Sequence, residues 1–246
     1  MNYLGVLEYV GTSYSGFQRL PKGKTVQKEV EAVLSKLLDA KIVIKGAGRT
    51  DAGVHALGQT FSFRTEKPVN PTSFCKSVNA LLPDDIRLLS LQEADESFDA
   101  RHSCIGKRYE YRFRVQEKSA FDDGRVGFFY APRFDAALFE KALRLYEGKH
   151  DFRNFTTKKE DKDGFVRVLE PIGFHYDEPS HFGTVTLRSN GFMTYQIRFL
   201  IGMAMKVADK KMSLSELEAL LDPSSPKKAT QKAPSCGLYL VEVLYA

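Results

Sequence analysis

Between residues 46 and 59 the chain reads Gly-Ala-Gly-Arg-Thr-Asp-Ala-Gly-Val-His-Ala-Leu-Gly-Gln, which sets Arg49, Asp51 and His55 among four glycines. A dinucleotide-binding loop needs a third glycine where Asp51 stands, and a carboxylate there would repel a pyrophosphate. A P-loop needs a Lys-Ser or Lys-Thr pair that is missing. A plain hairpin would use the glycines for positive φ and Asp51 as a turn cap, the ordinary fate of an aspartate in a glycine-rich loop. A further reading lets the glycines bring the backbone against a ligand while Arg49 steadies an ionised Asp51 as nucleophile or base. On these residues alone, the hairpin and the ligand-facing reading both stay open.

The second concentration of chemistry is electrostatic. Between Arg101 and Arg114 stand Arg101, Lys107, Arg108, Arg112 and Arg114 against the single acid Glu110. Such a segment suits a polyanion, although a charged outer strand face is more often simply solvated. Lys227, Lys228 and Lys232 form a second basic surface stretch that could touch a polyanion, whereas Lys158, Lys159 and Lys162, interleaved with Glu160, Asp161 and Asp163, read as an exposed loop. His150, His175 and His181 have no Cys or His partners at zinc-like spacing, and Cys75, Cys104 and Cys236 are too far apart for a metal knuckle or a disulfide framework. No metal site is expected.

The elements that must position these residues follow from periodicity. Tyr3 to Tyr9 alternates like a strand, and Val10 to Gly16 breaks into a loop. Thr25 is the expected N-cap of a helix whose Val26, Val30, Val33, Leu34, Leu37 and Leu38 share one face. Lys41 to Ile44 reads as a short strand, followed by the glycine loop of residues 46 to 59 and a strand from Thr60 to Arg64. A helix after Pro71, with Phe74, Val78 and Leu81 on one stripe, ends at Pro83, and Ile86 to Leu91 returns as a strand. The second half is expected to repeat this β-α-β-β-α-β order. Lys107 to Val115 is a half-buried strand with Tyr109, Tyr111, Phe113 and Val115 inward, and Asp135 to Tyr146 a helix. Strands follow near Val166 to Tyr176 and Thr184 to Ser189, then a long amphipathic helix from Gly191 to Val207. Ser213 to Glu216 is a capping-box start, and Leu238 to Tyr245 is a last strand. The expected fold is α+β, two ferredoxin-like β-α-β-β-α-β halves with antiparallel sheets, residues 1–105 and 106–246, around a central active-site cleft. The halves repeat in element order only.

Composition sets outer limits. The 246 residues include 43% hydrophobic and 27% charged side chains, values of a globular chain that exclude disordered and collagen-like classes. Net charge is +5, from 36 basic and 31 acidic residues, which leans toward a polyanionic partner. No apolar run approaches the length of a membrane span, and Met1 to Tyr9 lacks the basic and apolar segments of a secretory signal, so a cytoplasmic protein is expected.

The string Gly-Arg-Thr-Asp-Ala-Gly-Val-His-Ala, from Gly48 to Ala56, matches the signature around the catalytic aspartate of the tRNA pseudouridine synthases of the TruA type, a family that the sequence resembles. The likeness extends to Gly11 to Gln18, to Phe98 to Ser103 and to Lys107 to Tyr111. It continues through His150-Asp151-Phe152 with Phe155, through Gly191-Phe192 leading to Gln196-Ile197-Arg198, and into Ala233 to Leu240. Departures are Val10, where the family often has Asp; Tyr195-Gln196, in place of a common His-Met pair; and Phe199, in place of a common Asn.

The resemblance implies isomerisation of uridine to pseudouridine in tRNA, at uridines 38 to 40 of the anticodon stem-loop. The N1 glycosidic bond is cut, the uracil rotates, and C5 is joined to C1′. The reaction is redox-neutral, so no cofactor and no metal are implied. Asp51 matches the catalytic aspartate; attack on C1′ and removal of a sugar proton are both open to it. Arg198 matches the arginine that pairs with that aspartate, and Tyr109 the active-site tyrosine that can stack on an extruded uracil. Arg49 would help displace the base or hold phosphates, and Leu238 would close the pocket. Arg101, Lys107 and Arg108, with Lys22 and Lys24, would lie along the bound RNA. A homodimer is implied as well. Two rival readings remain: a non-catalytic RNA-binding module, which has no need of Arg49, Asp51 and Arg198 together, and a small-molecule enzyme on the same fold.

Overall fold

A computed structural model describes residues 1–160 and 164–246, so Asp161, Lys162 and Asp163 of the expected exposed loop lie outside the described residues. The chain divides into two compact units, residues 1–107 with 239–246, and residues 108–238. The architecture is α+β. No helix among the described residues is long and apolar enough to cross a membrane.

In the first unit, β1 (Asn2–Tyr9), α1 (Val26–Leu38), β2 (Lys45–Gly46), β3 (His55–Arg64), α2 (Pro71–Asn79) and β4 (Ile86–Ala94) follow the expected β-α-β-β-α-β order. The terminal strand β11 (Leu238–Tyr245) completes its sheet, which runs β4-β1-β3-β11 with β2 on β3. β1 is antiparallel to β3 and to β4, whereas β11 is parallel to β3, with Tyr239 opposite His55. α1 buries Val26, Val30, Val33, Leu34 and Leu38 of the expected apolar face, with Leu37 half-buried.

Three local expectations are corrected here. Thr25 occupies the N-cap position with extended backbone, but its hydroxyl makes no capping bond. The first-turn donors are taken instead by backbone: Val26 N–H donates to the Gly16 carbonyl at 3.3 Å and Gln27 N–H to that of Phe17 at 2.9 Å. Lys41 to Ile44 is not a strand, because side chains of α1 satisfy its amides: Ile42 N–H donates to Ser35 Oγ at 2.9 Å and Ile44 N–H to Glu31 Oε1 at 3.1 Å. Finally, the glycine-rich loop is shorter than expected, since β3 begins at His55.

The second unit carries most of β5 (Cys104–Val115), then β6 (Gly127–Phe129), α3 (Ala136–Arg144), β7 (Gly148–Asp151), β8 (Val166–Leu169), β9 (Gly173–Asp177), β10 (Phe182–Ser189), α4 (Gln196–Ala208) and α5 (Leu214–Glu218). Its sheet runs β5-β10-β8-β7, with β6 on β5 and β9 on β10. The order is richer than the expected repeat. β6 and β7 are additional, and the strand expected from Val166 to Tyr176 is split at Glu170-Pro171-Ile172, where proline withholds a ladder donor.

α4 starts at Gln196, five residues later than expected, because Tyr195 is left-handed at φ 61° and cannot belong to a right-handed helix. The helix is not amphipathic either: all of its residues but Arg198 and Lys206 are buried. The capping box at Ser213 and Glu216 forms as expected. β5 alternates as expected, with Tyr109, Tyr111, Phe113 and Val115 buried. Phe113 is fully buried, with the rings of Phe129, Phe134 and Phe139 at centroid distances of 6.3, 6.0 and 5.3 Å. Removing that ring leaves a cavity that its neighbours fill only in part. Phe113→Ala should therefore lower stability by about 3–5 kcal/mol, measured as a reduced midpoint of urea unfolding; a midpoint equal to wild type would contradict this account of the core.

Candidate active site

The loop that carries Asp51 is held from both sides by backbone. After β1 the chain turns through Gly11–Ser13, and a Cβ on Gly11 would lie 1.9 Å from the Val54 carbonyl oxygen, a separation no side chain can adopt. Gly16, at φ +104°, also leaves no room for a side chain: its Cβ would be 2.7 Å from the Thr50 carbonyl oxygen. Across this contact Phe17 N–H donates to the Thr50 carbonyl at 3.2 Å and Gly53 N–H to that of Tyr14 at 3.3 Å. Val54 N–H closes the turn on the Asp51 carbonyl at 3.1 Å. Two glycines thus bring one loop against the other, and the second loop carries the carboxylate.

Side chains complete the frame. The Tyr9 and Thr50 hydroxyls are bonded at 2.8 Å in the interior, which fixes the residue immediately before Asp51. Burial pushes the Tyr9 phenol well above its ordinary pKa, so it stays neutral. Gly11 N–H donates to His55 Nδ1 at 3.0 Å, and the buried His55 ring stacks on Tyr239 at 4.6 Å between centroids. An accepting Nδ1 leaves the neutral ring's proton on Nε2. At the other end of the loop, Ala47 N–H donates to the Thr60 carbonyl at 2.8 Å and Gln59 Nε2 to the Gly48 carbonyl at 2.9 Å. Lys107 Nζ donates to the Ala47 carbonyl at 2.9 Å. Thr50 and Val54 are buried, Asp51 between them is half-buried, and Arg49 is exposed.

The expected residues of the second unit are held just as firmly. Tyr109 is buried and meets Phe192 edge-on, at 5.3 Å between centroids and 85° between planes. Arg198, on the first turn of α4, donates from Nε to the Ala233 carbonyl at 2.8 Å, while Ala233 N–H donates to the Arg198 carbonyl at 2.8 Å. Its guanidinium also lies over the Tyr195 ring at 5.5 Å, and Lys232 Nζ stands 4.3 Å from the same ring. Tyr111 Oη donates to the Pro234 carbonyl at 2.9 Å, which ties the 233–234 segment to β5. Leu238 is buried at the head of β11.

The basic segment is partly neutralised. Arg112 pairs with Glu110 at 2.6 Å and Arg114 with Asp122 at 2.5 Å, while Arg101 is exposed and Arg108 half-buried. Residues that sequence reasoning left without a role are Tyr9, Thr50 and Ala233, together with His55, whose ring bonds the glycine turn. Each acts through a partner distant in sequence, so no local pattern marks it.

A family model described as tRNA pseudouridine synthase matches residues 6–103 and 142–246. Its chemistry is an isomerisation, which sets the class. Over 243 residues the chain is 36% identical to tRNA pseudouridine synthase A of Aster yellows witches'-broom phytoplasma (strain AYWB), covering 99% of this chain and 98% of that protein. It is 37% identical over 242 residues to tRNA pseudouridine synthase A of Geobacillus sp. (strain WCH70), covering 97% and 96%. The crystal structure of a Cbf5-Nop10-Gar1 complex aligns with a TM-score of 0.38 and 12% identity, over 82% of this chain and 45% of that one. The chain belongs to the tRNA pseudouridine synthase A (TruA) family and is an isomerase.

Lys107 offers a test of the loop's frame. Burial pushes its amine below the ordinary lysine value, with the Cys104 thiol acting upward and the Arg101 guanidinium downward. The unfolded chain then holds the proton more tightly than the folded one, so the contribution of this group to stability rises as pH climbs from the folded toward the unfolded pKa. As pH rises toward the ordinary lysine value, wild type should gain stability relative to Lys107→Met, read as the difference in urea midpoints; a difference that does not change with pH would contradict it.

Proposed function

We propose that the protein converts uridine to pseudouridine in the anticodon stem-loop of tRNA, at the uridines expected from its family, with Asp51 as the catalytic carboxylate. The observation that carries this reading is the framing of Asp51: the family's Gly-Arg-Thr-Asp signature lies in a loop fixed on both sides by backbone contacts, with Asp51 half-buried between the buried Thr50 and the exposed Ala52. Backbone held this closely can place a reacting group within the tolerance that catalysis demands.

The bond changes are redox-neutral. The N1–C1′ bond breaks with its electron pair going to the uracil, the base turns, and C5 bonds to C1′. C5 gives up its proton and N1 gains one, so substrate and product are isomers. Asp51 acts at the sugar. Arg198 is the cation that keeps it ionised, and its hydrogen bond to Ala233 limits where the guanidinium can go. Tyr109 stacks on the extruded uracil, and the face of β5 that carries it is supported by Phe192. Leu238 closes the pocket, and Arg49, exposed on the Asp51 loop, displaces the base or holds phosphates. Arg101, Lys107 and Arg108 lie along the RNA. The two halves are ferredoxin-like, and the enzyme works as a homodimer in the cytoplasm, as its family resemblance suggests.

The direct test is incubation with an unmodified tRNA transcript, followed by mapping of carbodiimide-stable adducts at uridines. Wild type should form pseudouridine in the anticodon stem-loop, and Asp51→Asn should lose at least about 10²–10⁴-fold in rate. Undiminished product with Asp51→Asn, or none with wild type, would overturn the assignment.

A further inference from the structure

A cavity of about 290 Å³ opens in the second unit between the β6 end, the C-terminal half of α4 and the 231–234 segment. Its walls combine two features seldom found together on a plain protein surface. The first is aromatic: Phe129 points into the core, so its neighbours Phe128 and Tyr130 point outward, and Tyr130 is 73% exposed. The second is a set of lysines, Lys206, Lys211 and Lys232, with Lys118 Nζ over the Phe128 ring at 5.1 Å. The one acid in the lining, Asp209, is buried, accepts from Arg133 N–H at 3.0 Å and pairs with Lys211 at 2.5 Å. Its charge is thereby answered within the protein. Lys206 is bonded to the Thr230 hydroxyl at 3.3 Å, and Lys232 rests on the Tyr195 ring at 4.3 Å, so both ammonium groups have neutral neighbours in these contacts.

We propose that this cavity is an accessory RNA subsite that takes one unpaired nucleotide of the substrate strand, its base against Tyr130 and Phe128 and its phosphate between Lys206 and Lys232. Charge complementarity commits the occupant: with Lys211 paired to Asp209, the lining still carries Lys206 and Lys232, which suits a phosphate. Exposed rings beside the cations suit a base, since every base has a π-face and stacking needs no sequence match. The volume is at the lower end of the range of ligand pockets and admits a single nucleotide rather than a duplex. Placement agrees as well. Lys206 follows Arg198 by eight residues on the same helix, about 12 Å at 1.5 Å per residue, and the segment that holds Arg198 through Ala233 also supplies Gln231, Lys232 and Pro234 to the lining. The proposal rests on the reading of the protein as an enzyme acting on RNA and adds to it a second point of grip.

The experiment measures binding of an unmodified tRNA transcript across a salt series for wild type, Tyr130→Ala, Tyr130→Phe and Lys206→Gln, with pseudouridine formation and oligomeric mass determined on the same samples. Tyr130→Ala should weaken binding by about 5- to 150-fold and Tyr130→Phe should keep wild-type affinity, the pattern of lost stacking. Lys206→Gln should lower the slope of log affinity against log salt by about 0.7, one phosphate contact on a single strand. Wild-type affinity and slope in both Tyr130→Ala and Lys206→Gln, while wild type still makes pseudouridine, would overturn the subsite and leave the enzyme assignment standing. A change in oligomeric mass without a change in tRNA affinity would likewise overturn it, marking the cavity as a seat for a second copy. Failure of wild type to bind or convert tRNA would overturn the enzyme assignment, and the subsite with it.

Discussion

The turn after β1 can approach the Asp51 loop only because Gly11 and Gly16 carry no side chains. At Gly11 the missing Cβ leaves room for the Val54 carbonyl, and at Gly16 for the Thr50 carbonyl, so the backbone on both sides of Asp51 rests against another stretch of backbone. Contacts of this kind are stiffer than side-chain packing, because main chain cannot change rotamer to relieve a misfit. The hydrogen bonds from Phe17 and Gly53, and the Tyr9–Thr50 pair in the interior, then lock the geometry that the glycines permit. His55 extends the same frame into the sheet: its ring bonds the Gly11 amide on one side and stacks on Tyr239 of β11 on the other. The strand that ends the chain thereby supports the loop near its beginning.

The second unit solves a related problem by other means. Arg198 sits on a helix that is otherwise almost wholly buried, and its backbone and side chain both bond Ala233. Tyr111 anchors the same segment through Pro234. The left-handed Tyr195 ends the preceding loop and lets α4 start where Arg198 falls in its first turn. The Tyr195 ring is occupied by two cations, Arg198 and Lys232.

What could be read from the sequence was whatever short-range physics decides. The apolar face of α1, the alternation of β5 and the capping box at Ser213 depend on neighbours a few residues away, and the structure has all three. Positions decided by distant partners were misread. Thr25 has the right residue type for a cap, yet carbonyls from the glycine turn reach the helix amides first. Lys41 to Ile44 has strand-forming residues but gives its amides to Ser35 and Glu31 of α1. α4 starts later than its apolar pattern predicts because nothing local announces a left-handed tyrosine. At the candidate site, the signature string pointed to Asp51 and contains His55, whereas Tyr9, Gly11 and Gly16, which also fix the loop, are brought to it by the fold.

The measurement that bears most directly on this account is the rate of pseudouridine formation by Gly11→Ala, taken alongside its circular dichroism. If backbone approach sets the position of Asp51, a single methyl group at Gly11 should displace the loop and lower the rate by about 10²-fold while the secondary structure persists. A folded Gly11→Ala enzyme that works at the wild-type rate would contradict the claim that this contact governs the site.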